Sequence, residues 1–239
     1  MPPLEELLYE SCKKINVELS EKQIKQFMDY KDMPLEWNEK MNLTAITDER
    51  EIMLKHFADC LVICSDLDLS GKRVIDVGTG AGFPGVPVKI YCPGAHMTLL
   101  DSLNKRINFL KELSEKLGLE NVDCVHMRAE DGGADKGLRE SFDYCISRAV
   151  ANLAVLSEYC LPFGKAGGEF ISMKGPDVEE EVNEAKKAIK VLGGEIKDIK
   201  KIEIPGTDIV HSLIFIEKVK PTPSKYPRKA GKAKKEPIM

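Results

Sequence analysis

The sequence predicts an α/β fold: a mostly parallel sheet with helices on both faces, an antiparallel C-terminal edge hairpin and an N-terminal helical extension. Three observations predict it. From Lys72 onward, short apolar runs alternate with helix-period segments, the βαβ rhythm of a parallel sheet. The first apolar run leads into a glycine-rich loop, Gly78-Thr79-Gly80-Ala81-Gly82. The last two runs, 195–204 and 213–219, have no helix between them, which suits a hairpin at a sheet edge.

Taken in order, residues 1–64 read as the helical extension. Leu4, Leu7, Leu8 and Cys12 recur at helical spacing, and Ser20 with Gln23 makes a capping box before Ile24, Phe27 and Met28. Thr47 precedes a further periodic turn through Ile52, Met53 and Phe57. Between them, Trp37 to Thr44 is poorly periodic and reads as a loop anchored by Trp37. Residues 65–219 hold the sheet, with strands expected at 73–77, 97–100, 122–127, 144–147 and 169–173 ahead of the terminal hairpin. Helices are expected at 103–117, 151–161 and 178–192. Residues 220–239, rich in Lys, Pro, Ser, Gly and Ala, cannot bury a core and are expected to be a mobile basic tail.

Composition narrows the function classes. The chain has 239 residues and a formal net charge of −4, from 35 basic and 39 acidic side chains. That total conceals an asymmetry: between Lys218 and Lys235 there are eight Lys/Arg and no Asp/Glu, so a basic tail follows an acidic body. No apolar run approaches the roughly 18 residues of a membrane helix, and the N-terminus, with Glu5, Glu6 and Glu10, lacks a secretory leader pattern. The seven cysteines are scattered without a C-x-x-C pair, as expected of free thiols in a reducing cytoplasm. His56, Cys60 and Cys64 share one helix face. With no further Cys/His cluster nearby to complete four zinc ligands, they are expected to be a packed face and no metal is expected.

Ligands of open α/β sheets bind beyond the carboxyl ends of the strands. The loop after the first strand reads Asp76-Val77-Gly78-Thr79-Gly80-Ala81-Gly82-Phe83-Pro84-Gly85. A dinucleotide fingerprint would place its third glycine where this chain has Phe83, and an acid at Asp76 would oppose the diphosphate. Asp76 suits a ligand bearing positive groups. S-adenosylmethionine has a sulfonium, an ammonium and no phosphate, and Gly78, Gly80 and Gly82 permit close backbone approach. Asp101, nineteen residues past Gly82 at the end of the second strand, can accept bonds from a ribose diol. Glu130, after the third strand, sits where an adenine edge could be read, and Arg148, at the head of the fourth, where groups face a methyl acceptor. The bland alternative pairs Glu130 with Arg148. No Asn-Pro-Pro-aromatic sequence follows the fourth strand and no Pro-Cys occurs, so neither an exocyclic amine nor a pyrimidine carbon has its usual machinery. An acceptor with a free lone pair, such as purine N7, needs mostly positioning and desolvation.

Eight ordered motifs carry a resemblance. They are Trp37-Asn38-x-Lys40-x-Asn42-Leu43-Thr44, His56-Phe57-x-Asp59, the Asp76–Gly85 loop, Leu100-Asp101-Ser102-x-x-Lys105-Arg106, Arg128-Ala129-Glu130-Asp131, Ser147-Arg148-Ala149, Met173-Lys174-Gly175 and Tyr226-Pro227-Arg228-Lys229-Ala230-Gly231. Together they resemble the ribosomal RNA small subunit methyltransferase G family, also called glucose-inhibited division protein B. The resemblance implies a class I S-adenosylmethionine-dependent methyltransferase with a Rossmann-like sheet, methylating guanine N7 at position 527 in the 530 loop of 16S rRNA. It implies that Gly78 and Phe83 touch the cofactor, Asp101, Ser102 and Leu103 its ribose region, and Ala129 and Glu130 its adenine. Arg148 would meet the methionine end or the acceptor pocket, the one position offered for a catalytic role, with no general base assigned. Cys60 departs from the serine usual after His-Phe-x-Asp. The implied partner is 16S rRNA in the small ribosomal subunit, bound by a monomer, with Lys105, Arg106, Lys174, Arg228 and Lys229 as expected phosphate contacts. A small-molecule methyltransferase and a non-catalytic rRNA-binding assembly factor with a residual cofactor pocket are the alternatives.

Overall fold

Ser20 and Gln23 close the capping box: the Gln23 side-chain oxygen accepts the Ser20 amide at 2.8 Å, and Ser20 Oγ accepts the Gln23 amide at 3.4 Å. The Gln23 amide nitrogen then donates to the carbonyls of Ile90 and Tyr91, tying the N-terminal helices to the sheet domain. The structure, a computed structural model, describes residues 3–41, 48–65, 67–148 and 151–238, the side chains of 34–41 excepted.

The extension holds α1 (Leu4–Lys13) and α2 (Glu21–Met41). Because α2 runs on to Met41, the backbone from Trp37 to Met41 is helical where a loop was expected; 42–47, with the rest of that motif, lie outside the described residues. Asp48 then caps a helical rod by accepting the Glu51 amide at 2.9 Å. The rod begins as α3 (Glu49–Glu51), widens to a π-helix at Ile52–Ala58, continues as α4 (Asp59–Leu61) and tightens to a 3-10 turn at Val62–Ser65.

The sheet strands are β1 (Arg73–Val77), β2 (His96–Asp101), β3 (Val122–His126), β4 (Phe142–Arg148), β5 (Gly164–Lys174), β6 (Gly194–Glu203) and β7 (Val210–Lys218). Among the described residues they form one sheet of order β3-β2-β1-β4-β5-β7-β6. The first five are parallel, and β7 runs antiparallel between β5 and β6. The central strands β1, β2 and β4 and most of β7 are buried because helices cover both faces, while the edge strands β3 and β6 are largely open. Helix α5 (Gly85–Tyr91) and α6 (Asn104–Lys116) pack on one face with the N-terminal helices, and α8 (Leu153–Cys160) and α9 (Glu179–Val191) pack on the other. Helix α5 and the short α7 (Ala129–Gly132) left no periodic signal in the sequence, since neither spans the two turns that a helical period needs.

The extension shares the core of the sheet domain: Phe27, Tyr30 and Phe57 are fully buried in one cluster with Val74, Val86 and Leu99. Each such side chain contributes roughly 1.5–3 kcal/mol of transfer free energy.

Residues 220–238 are the segment that composition marks as a mobile basic tail. They lie back along the domain and end in α10 (Lys232–Lys235). Polar contacts do what apolar burial could not: Arg139 donates to the carbonyls of Thr222 and Tyr226, and Arg228 forms a two-pronged pair with the buried Glu158.

Candidate functional site

β1 is flanked by β2 on one side and β4 on the other. The connections after β1 and β4 therefore leave in opposite directions and open a crevice at the carboxyl edge. A cavity of about 350 Å³ occupies it. Its wall comes from Gly78 after β1, from Asp101, Ser102 and Arg106 after β2, and from Ala129 and Glu130 after β3. Tyr159 of α8 and Gly231 and Lys234 of the C-terminal strap complete it.

The glycine loop divides its residues between two tasks. Gly78 has φ +78°, its amide donates to the Leu100 carbonyl, and a Cβ added there would meet nothing within 4 Å. Gly80 donates its amide to Asp101 Oδ2 at 3.0 Å. At Gly82 a Cβ would stand 2.7 Å from the Tyr30 hydroxyl, so this glycine lets the extension approach. The Tyr30 hydroxyl in turn donates to the Ala81 carbonyl at 2.6 Å.

Asp76 is fully buried beneath the loop. Its Oδ2 accepts the Gly85 amide at 2.7 Å, whereas Oδ1 and the nearby Thr79 hydroxyl have no hydrogen-bond partner. Burial pushes this carboxyl up to about 7, against the lowering pull of Thr79, the Gly85 amide and Arg148. Asp101 Oδ1 accepts the Leu103 amide at 2.9 Å, and Oδ2 also meets Arg106 at 3.2 Å. Leu103 itself is exposed. The cradle fits S-adenosylmethionine: a loop with open space at Gly78, a buried carboxylate with a free oxygen below it, and an acid at the second strand end.

Phe83 and Arg148 stand elsewhere. The Phe83 ring stacks between Tyr30, with centroids 5.4 Å apart, and His56, at 4.7 Å and 14°. The Arg148 guanidinium lies 5.0 Å from the centre of the same ring. Arg148 Nη1 bonds Asp59 Oδ2 at 2.9 Å, and His211 Nδ1 meets Asp59 Oδ1 at 2.5 Å. His56, Asp59, Arg148 and His211, with Lys55, Met173 and Lys174, line a second cavity of about 390 Å³. Burial and the adjacent Arg148 charge bring His56 down to about 4, so its ring is neutral at pH 7.

The walls of the two cavities are bonded to each other at the sheet edge. Ser147 Oγ donates to the Val77 carbonyl at 2.9 Å, and Lys174, on the second cavity, donates to the carbonyl of Ala151, on the first.

The structure therefore brings Gly78, Asp101, Ser102, Ala129 and Glu130 to one cavity and Arg148 to a second, while Asp76, Gly80, Gly82, Phe83 and Leu103 line neither. The pairing of Glu130 with Arg148 does not form: Glu130 accepts the Gly231 amide and Arg148 takes Asp59. Of the expected phosphate contacts, Lys105 and Lys229 are exposed and Arg106 is half-buried on the rim. Lys174 is tied to Glu181, and Arg228 to Glu158. Sequence reasoning missed the functional placement of Asp59 and His211. The His-Phe-x-Asp motif pointed to Asp59, but His211 lies 152 positions away and carried no signal. On the face of His56, Cys60 and Cys64 the two cysteines are buried and free, whereas His56 lines the second cavity. No group of three or more metal-ligating side chains occurs among the described residues, and no described helix is long and apolar enough to cross a membrane.

Residues 23–210 match the family model described as rRNA small subunit methyltransferase G. The chain is 54% identical over 233 residues to a ribosomal RNA small subunit methyltransferase G of Alkaliphilus metalliredigens, covering 97% of this chain and 98% of that one. A relative of the same description in Clostridium perfringens is 53% identical, covering 98% of each. Among solved structures, the 16S rRNA (adenine(1408)-N(1))-methyltransferase of Catenulisporales acidiphilia superposes with TM-score 0.52 at 16% identity, over 65% of this chain and 95% of that one. A SAM-dependent O-methyltransferase of Thermotoga maritima gives 0.52 at 19%, over 78% and 71%. These two likenesses show the shared methyltransferase fold.

Proposed function

We propose, from the premise that this chain belongs to the ribosomal RNA small subunit methyltransferase G family, that it transfers a methyl group from S-adenosylmethionine to guanine N7 at position 527 of 16S rRNA. The observation that carries the reading is the pair of cavities with bonded walls at the carboxyl edge of the sheet, with Gly78 of the glycine loop on one and Arg148 on the other. When bound, the cofactor supplies an electrophilic methyl on a sulfonium. The Gly78 backbone, Asp101 and Ser102, Ala129 and Glu130 would hold it, and Asp76 beneath the loop favours its positive groups.

The second cavity suits a purine turned out of its stack. The neutral His56 ring, backed by Phe83, offers a flat wall for stacking. Arg148 would donate toward the exocyclic O6 carbonyl beside N7, and Asp59 fixes the direction of that guanidinium. Methylation makes the purine cationic. Asp59 balances Arg148, so the wall presents hydrogen-bond donors without adding an uncompensated positive charge. Guanine N7 carries its own lone pair, so the residues need only align and desolvate it; no general base is required. The substrate is 16S rRNA in the small ribosomal subunit, and the expected site of action is the cytoplasm, with the protein acting as a monomer.

Single-turnover transfer of radiolabelled methyl to small-subunit rRNA tests this. The label should appear at one guanine, whose chain becomes cleavable by aniline after borohydride reduction, a reaction particular to N7-methylated guanine. Label at another atom, or none despite cofactor binding, would overturn the reading.

A further inference from the structure

The strap after β7 is fastened along its length. The Val219 and Lys220 amides donate to the Gly193 carbonyl. The buried Lys218 ammonium donates to the Leu161 carbonyl and to Thr222 Oγ1, both at 2.7 Å. Thr222 Oγ1 donates onward to the Leu192 carbonyl at 2.7 Å. Arg139 spans three carbonyls, those of Gly133, Thr222 and Tyr226, at 2.7–2.8 Å. Two of the tail's cations, Lys218 and Arg228, are therefore engaged with the protein itself.

The fastening is tightest at Arg228. Its amide and Nε lie 2.8 and 2.9 Å from Glu158 Oε1, and its Nη2 lies 2.6 Å from Oε2. Glu158 is 1% exposed, so this carboxylate has left water, and Arg228 is the cation paired with it. Three residues further on, the Gly231 amide donates to Glu130 Oε1 at 2.9 Å. Ala233 of α10 is fully buried. Gly231 and Lys234 thereby face the first cavity beside Tyr159 and Glu130.

We propose that residues 226–235 are a wall of the cofactor cavity, with Gly231 and Lys234 as cofactor-binding residues at its adenosine end and the Arg228–Glu158 pair as the latch that holds them there. The proposal rests on the cofactor reading above. Glu130, in direct contact with the strap, is oriented by it, because one of its oxygens is occupied by the Gly231 amide. The basic tail thus acts first on the small molecule. Charge alone had suggested RNA, but Arg228 spends its donors on Glu158, and the strap closes a concave site whose other walls come from β1, β2 and β3.

The test is calorimetric titration of S-adenosylhomocysteine into the full-length protein and into K234Q and E158Q/R228Q. The double variant removes both charges of the latch and leaves no buried ion unpaired. Wild-type protein should bind. E158Q/R228Q should bind about tenfold or more weakly, and K234Q a few-fold more weakly. A saturating ligand should also slow tryptic cleavage at Lys229, Lys232, Lys234 and Lys235 in the wild type but not in the double variant, which a merely structural tail would not do. Should the double variant fail to fold, K234Q and the wild-type protection pattern decide. Wild-type affinity in K234Q, together with cleavage unaffected by ligand, would overturn the strap proposal while leaving the cofactor reading intact. A wild-type protein that binds no S-adenosylhomocysteine would instead overturn the cofactor reading.

Discussion

Asp59 and Arg148 meet at 2.9 Å across 89 positions of sequence, with the second Asp59 oxygen held by His211 at 2.5 Å. The carboxylate is buried at the point where the π-helical segment returns to α-helix. A π-turn carries an extra residue per hydrogen-bonded ring and re-aims the side chains beyond it, a distortion that recurs at functional sites. Here the rod presents His56 to Phe83 and Asp59 to Arg148.

The Asp59→Asn variant keeps the size of the side chain and removes the counter-ion of Arg148. Arg148 still reaches solvent through the cavity, so the loss of stability should be about 3 kcal/mol, the low end for one-sided removal of a buried pair. Methyl transfer should fall about tenfold or more, as expected when a positioning contact is lost. S-adenosylhomocysteine affinity, measured by calorimetry, should stay within about threefold of wild type, because Asp59 lines only the second cavity.

Two glycines of one loop should fail differently. At Gly85 an added Cβ would lie 2.5 Å from Leu99 Cδ2 and 2.8 Å from Asp76 Oδ2. Gly85→Ala should therefore cost about 1–3 kcal/mol by overpacking. Gly78→Ala meets no atom and should cost about 1–2 kcal/mol through its left-handed backbone, yet lose cofactor binding because the Cβ enters the ligand's space. Urea denaturation and calorimetry on both variants separate the two effects.

Asp76 and His56 make opposing contributions to pH dependence. The folded pKa of Asp76 is raised to about 7 from an ordinary carboxylate value. Between about pH 4 and 7 the native state thus holds a proton that the unfolded state has lost, and stability falls as pH rises. His56 is lowered to about 4. Between about pH 4 and 6.5 the unfolded state holds the extra proton, and stability rises with pH. The two slopes largely cancel in the wild type. Asp76→Asn removes the falling one, so its unfolding free energy should climb more steeply than wild type across that window. Parallel profiles in urea titrations from pH 4 to 7 would contradict the assignment.

Exposed and engaged cations should separate in salt titrations of RNA binding. Lys105 and Lys229 are exposed, so Lys105→Ala and Lys229→Ala should each reduce the slope of log affinity against log salt by about 0.7–0.9. Lys174→Ala should leave that slope unchanged and instead weaken folding, since its ammonium already serves Glu181 and the Ala151 carbonyl.

The sheet was legible because its signal is local. Apolar runs of strand length bounded by glycine mark each strand within a few residues, and the absence of a helix between 204 and 213 marked the hairpin. The first cavity was legible for a related reason: in a parallel sheet, strand order and strand ends decide which loops converge, so Gly78, Asp101 and Glu130 could be placed together from their positions after β1, β2 and β3.

By itself the sequence determined the α/β class, the glycine loop with its buried acid and the family, because each is written in contiguous residues. Only the tertiary structure decided which charges are spent. Arg148 and Arg228 look alike as free cations in a chain, yet one is held by Asp59 and the other by Glu158, each a carboxylate buried far from its partner in sequence. A buried carboxyl is stabilised by a proton, as burial favours at Asp76, or by a cation, and which cation answers depends on the packing of helices against the sheet. That packing lays Gly231 and Lys234, beyond the last strand, against the first cavity.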